Sequence, residues 1–180
     1  MLKKAVVIIL IIGIAYINLN SFALGKRMPY FQVESGDEVV LNSNELANKV
    51  IFFFYDHKDS FQYNNEFKTN LFREYKTLIP QQKEEIAIVQ IIDCSSSNFI
   101  NRYFYKNGLI NNSKKYGFRI WGDWDGKVRE NFGFKSEQSY MIIFDKSGKA
   151  VYLDQHLFQE TKIREITRLL DDIFAKDECR

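Results

Sequence analysis

A chain of 180 residues with 46% hydrophobic content, sixteen Phe and ten Tyr can bury one aromatic-rich core, and its length suits one domain plus extras. Its 25 Lys and Arg stand against 23 Asp and Glu, so no overall charge draws it to nucleic acid. Two cysteines, Cys94 and Cys179, and two histidines, His57 and His156, are too few and too scattered for a disulfide framework or a zinc site.

The chain opens on Met1-Leu2-Lys3-Lys4, followed by an unbroken apolar stretch from Ala5 to Ile17. Asn18 and Asn20 interrupt it, and Ser21-Phe22-Ala23 has the small-x-small pattern of a cleavage site. Residues 1–23 are therefore expected to be a signal peptide, 24–176 the folded domain and 177–180 a polar tail. The alternative is a retained membrane anchor, for which the apolar run is short against the ~20 residues a spanning helix needs. Loss of Lys3 and Lys4 leaves 23 residues of each sign. Export and neutrality together exclude a transcription factor.

Beyond the leader, Phe31-Gln32-Val33 and Glu38 to Leu41 alternate around Ser35-Gly36-Asp37, which predicts a β-hairpin. Ser43 to Ala47 reads as one helical turn. Val50 to Tyr55 is a continuous apolar run of strand length, the pattern of a strand buried on both faces. Asp59 or Ser60 is placed to cap a helix carrying Phe67, Leu71, Tyr75 and Leu78 on one stripe, ended by Pro80. Ile86 to Ile92 is a second buried strand. Asn98 to Tyr116 reads as helix with a kink or break at Gly108, Phe118 to Trp121 as a short strand and Gly126 to Phe132 as a helical turn. Tyr140 to Phe144 and Ala150 to Leu153 flank Asp145-Lys146-Ser147-Gly148, a strong hairpin signal. A final helix, Glu160 to Phe174, aligns Ile163, Ile166, Leu170 and Ile173. This order predicts an α/β fold: a mixed central sheet with helices on both faces and an N-terminal β-hairpin.

Several stretches carry a resemblance. Gly25-Lys26-Arg27-Met28-Pro29-Tyr30-Phe31 is similar to a G-x-x-x-P-x-F opening, and Val40-Leu41 with Glu45-Leu46 to the turn that follows it. Asp125-Gly126-Lys127-Val128 through Phe132-Gly133-Phe134 and Met141 through Lys149 resemble the later strand approach and hairpin of the same proteins. Together they resemble the exported redoxin branch of the thioredoxin-like superfamily. Phe104, Leu109, Asn112, Lys115-Tyr116 and Ser136-Glu137-Gln138-Ser139 are similar to the narrower YtfJ-type family of periplasmic proteins, which have no recognised activity. The resemblance implies a thioredoxin-like fold. It also marks two departures. The corner that holds Cys-x-x-Cys in thioredoxins reads His57-Lys58-Asp59-Ser60, and the proline that faces that pair falls near Ser139.

Three groups of residues are candidate sites. In the corner, Asp56, His57, Asp59 and Ser60, with Ser139 across from them, offer an anion-friendly helix start or a small-ligand contact. The plainer reading is a capped loop, and a metal site from Asp56, His57 and Asp59 is a poor ligand set. Cys94 ends the second strand, where α/β proteins place ligands, so a catalytic thiol is one reading and an inert buried cysteine the other. Trp121 and Trp124, in a Gly- and Asp-rich stretch beside the aromatic run 103–105, are candidates to line a binding cleft, or else belong to the core. The expectation is an exported, non-catalytic binding or accessory module. It would take a protein or small-molecule ligand in the cell envelope, use no cofactor and meet the membrane only through an uncleaved leader. The alternative is a single-cysteine thiol oxidoreductase or peroxidase-like enzyme using Cys94.

Overall fold

Phe52, Phe53, Phe54 and Tyr55 follow one another without a polar break, so a strand made of them needs cover on both faces. A computed structural model describes residues 22–78 and 83–178 and supplies that cover. Seven strands form one mixed sheet: β1 (Gln32–Ser35), β2 (Val40–Asn42), β3 (Val50–His57), β4 (Ile86–Asp93), β5 (Ile120–Asp123), β6 (Tyr140–Phe144) and β7 (Ala150–Gln155). Their spatial order is β2-β1-β5-β4-β3-β6-β7. The central strands β3, β4 and β5 run parallel, while β6 pairs antiparallel with β3, and β1 with β5.

Four helices complete the domain: α1 (Asn65–Leu78), α2 (Phe99–Tyr116), α3 (Lys127–Phe132) and α4 (Lys162–Glu178). Phe52 and Phe54 share one face of β3 and pack with Phe67 and Leu71 of α1 and Ile163, Ile166, Leu170 and Phe174 of α4. The side chains of Tyr75 and Leu78 lie outside the described residues, as do Pro80 and Cys179. α2 covers the neighbouring part of that face over Ile92, Cys94 and Ile120. On the other face, Phe53 and Tyr55 meet the short α3, Phe31 and Phe134. Phe53 stacks on Phe132 with ring centroids 4.8 Å apart, and Phe31 and Phe144 meet it edge-on.

α2 runs unbroken through Gly108, so the kink expected there does not form, and its left-handed stop comes at Gly117 (φ 74°). The hairpin tip packs hard against α2. A β-carbon on Gly36 would lie 2.3 Å from the carbonyl oxygen of Lys106, so only glycine fits. Lys106 then pairs with Glu34 at 3.1 Å and Glu38 at 2.7 Å.

Residues 1–21, most of the expected leader, lie outside the described residues. Phe22, which the expected cleavage would remove, packs its ring 5.3 Å from Phe132 and donates its amide to the Phe132 carbonyl. A chain beginning at Leu24 is expected to melt about 2–4 °C below one beginning at Phe22, a difference read directly by calorimetry.

Candidate functional site

Parallel pairing brings the carboxyl ends of β3, β4 and β5 level, so His57, Asp93 and Asp123 lie side by side in register. The two acids are buried and committed to the fold. Asp123 accepts from the Tyr55 hydroxyl at 3.0 Å and from the Val128 and Arg129 amides at 3.3 and 3.1 Å, which caps α3. Burial raises its pKa above the ordinary carboxylate value, against those hydrogen bonds. Asp93 accepts from the Ser95 amide and hydroxyl and pairs with Arg129 at 2.9 Å. Burial would raise Asp93 too, but the Ser95 hydrogen bonds and the Arg129 guanidinium outweigh it and hold the acid below its ordinary value. Replacing Arg129 with Met is expected to cost about 2 kcal/mol in urea unfolding, because Asp93 stays buried without its cation. In wild type the Asp93 contribution is present above the ordinary carboxylate pKa and fades as pH falls through the lowered one.

The corner itself differs from the capped loop read in the sequence. An extra 3-10 turn, Phe61–Asn64, separates it from α1, so neither Asp59 nor Ser60 caps that helix. Ser60 is in helical conformation and makes no capping bond. Its hydroxyl donates to the His57 carbonyl at 3.1 Å and lies 3.1 Å from the Ser139 hydroxyl. Ser139, aligned with the facing proline, does sit against the corner. His57 is mostly covered, with Asp59 3.7 Å from its Nδ1 and itself exposed. Lys58 donates to the Tyr105 hydroxyl at 3.0 Å and ties the corner to α2.

Asp56, grouped with the corner as a ligand contact, is fully buried. Its Oδ2 accepts from Lys68 Nζ at 2.5 Å and from Gln90 Nε2 at 2.8 Å, and Lys68 also donates to Gln90 Oε1 at 2.7 Å. Lys68 lies over the rings of Phe54 and Phe61, 5.2 and 4.9 Å from their centroids. Burial pulls its pKa below the ordinary lysine value, and Asp56 opposes the shift. Neither Lys68 nor Gln90 was singled out from the sequence: Gln90 stands alone in an apolar run and so needs a buried partner, whereas Lys68 lies among other polar residues and carries no such signal.

Cys94 is 0% exposed, beneath α2. Burial, then the nearby Asp93 and Asp123 charges, pushes its thiol up to about 12. Trp121 and Trp124 both pack against the fold. Trp121 faces the core of the α3 side, and Trp124 folds back so closely that a β-carbon on Gly122 would lie 2.7 Å from it. Trp124 donates to the Glu34 carbonyl at 2.9 Å beneath the Arg102 guanidinium. The first turns of α2 expose Ile100 (74%), Tyr103 (69%) and Phe104 (69%) together; Tyr63 (67%), Leu157 (65%) and Leu24 (60%) are exposed elsewhere.

No family model and no curated protein matches the chain. Solved structures do. A thiol peroxidase from Chromobacterium violaceum is 11% identical, with 86% of this chain and 90% of that one covered and a TM-score of 0.60. A DsbF homologue from Corynebacterium diphtheriae is 10% identical over 82% and 87% of the two chains, TM-score 0.59. The pneumococcal exposed lipoprotein thioredoxin from Streptococcus pneumoniae strain TIGR4 is 13% identical over 77% and 98%, TM-score 0.54. The chain has a thioredoxin-like fold, of the kind that thiol–disulfide proteins use. Among the described residues, Cys94 is the one cysteine, and no helix is long and apolar enough to cross a membrane.

Proposed function

We propose that this protein is an exported, non-catalytic member of the thioredoxin-like group, of the YtfJ type, that works by binding in the cell envelope. The observation that carries the reading is the corner. Where a dithiol would sit, Ser60 instead contacts Ser139, which stands at the facing proline's place, and Cys94 is sealed under α2 with its proton held tightly. A thiolate is the attacking species in disulfide exchange and peroxide reduction, so a covered thiol with a raised pKa lacks both access and reactivity. Ile100, Tyr103 and Phe104 supply the surface for a partner protein.

The test is dithiol-driven insulin reduction and peroxide consumption, with Cys94→Ala alongside. No turnover in either protein supports the binding reading. Turnover lost in Cys94→Ala would replace it with thiol catalysis by Cys94.

A further inference from the structure

Between α1 and the end of α2 is a cavity of about 440 Å³, within the range of about 300–1,000 Å³ usual for small-molecule sites. Its walls are Phe61, Phe72, Phe118 and Ile88, and its polar lining includes Lys68 and Gln90. The aromatic walls are set by one another: Phe61 meets Tyr116 edge-on at 5.8 Å, and Phe72 meets Phe118 edge-on at 5.5 Å. Asn65 Nδ2 donates to the Tyr116 hydroxyl at 2.7 Å, leaving the hydroxyl hydrogen for another acceptor. Arg73 and Lys115 also line the cavity, so the described lining carries three cations and no carboxylate.

We propose that this cavity binds a small amphipathic carboxylate, its aromatic or aliphatic body between Phe61, Phe72 and Phe118 and its carboxylate at Arg73, Lys115 and the Tyr116 hydroxyl. The orientation follows from charge. Lys68 is already neutralised by Asp56 at 2.5 Å, so a carboxylate driven against it would be a second buried anion beside one cation. Arg73 is exposed and Lys115 lies toward the surface, so an anion there keeps part of its hydration. This deepens the binding reading and does not depend on what docks at α2.

The experiment is calorimetric titration of the protein, as isolated from cells expressing the full sequence, with naphthoate and decanoate as probes and decanol as the uncharged comparison. One-to-one binding of at least one carboxylate is expected, tighter than decanol. Arg73→Gln with Lys115→Gln should weaken the carboxylate about tenfold and leave decanol unchanged, and Thr69→Trp, a substitution at the exposed lip, should abolish both. Tyr103→Ser with Phe104→Ser should change neither. The assignment is overturned if neither carboxylate binds the folded protein, if decanol binds equally tightly, or if the α2 variant and not Thr69→Trp removes binding. Absence of thiol turnover is measured separately, so each reading can fail alone.

Discussion

Lys68→Met is expected to remove about 3–5 kcal/mol of stability at neutral pH, the loss typical of breaking a buried ion pair from one side. The methionine fills most of the same space, so lost packing contributes little. What remains is Asp56, fully buried, with one oxygen that already has no hydrogen-bond partner and another reduced to its Gln90 contact. Urea unfolding of wild type and variant at neutral pH reads the loss. Combining Lys68→Met with Asp56→Leu should recover a substantial part, since removing both charges leaves neither orphaned. No recovery in the double variant would mean that Lys68 acts through packing on Phe54 and Phe61 alone.

Cys94 should be nearly silent toward an aromatic disulfide reagent in the folded protein. A thiol held near 12 instead of its ordinary 9.0 has about a thousandfold less thiolate at neutral pH, and burial beneath α2 slows attack further. Rapid reaction without denaturant would sink the binding reading directly. The same group has a stability signature. The folded state keeps the thiol proton up to about 12 and the unfolded chain releases it from about 9, so the unfolded state binds fewer protons in that window. Stability from this group is therefore intact below pH 9 and falls as pH rises toward 12. Cys94→Ala has no proton to lose. It should be less stable than wild type by about 1 kcal/mol at pH 8 from the lost sulfur packing, with the gap closing as the buffer becomes more alkaline. A constant gap would indicate a thiol that titrates alike in the folded and unfolded chain.

The two predictions concern residues of different legibility. Cys94 was visible as the end of an apolar strand, and both of its fates were open because sequence does not say which helix lies over it. α2 and β5 decided that, with Leu109 from the helix and Ile120 from the strand packed in one cluster with Cys94. Lys68 was less visible. It sits next to Phe67 in a helix whose apolar spacing drew attention to its neighbours, while Gln90 interrupts the run from Ile86 to Ile92 and Asp56 ends the run from Val50. Asp56 and Gln90 are lone polar residues in buried strands, and only the register of β3 against β4 with α1 above shows that Lys68 meets them.

The tryptophans left two readings open for a related reason. A Gly- and Asp-rich stretch reads as an open loop, but Trp121 lies in β5 and Gly122 leaves room for Trp124 to close over the sheet. The exposed aromatics fell one element earlier, on α2, whose mixed pattern does not separate an inner from an outer face.

By itself the sequence determined the strands β3, β4, β6 and β7, the two hairpins and helix α4, because each depends on local periodicity and turn residues that neighbours do not override. It also determined that no Cys-x-x-Cys pair stands at the corner. The tertiary structure alone decided the extra turn after Ser60, the Ser60–Ser139 contact, the Asp56–Lys68–Gln90 cluster and the cavity between α1 and α2. Each depends on groups distant in the chain sharing one low-dielectric space, and pairing of that kind is set by packing and register.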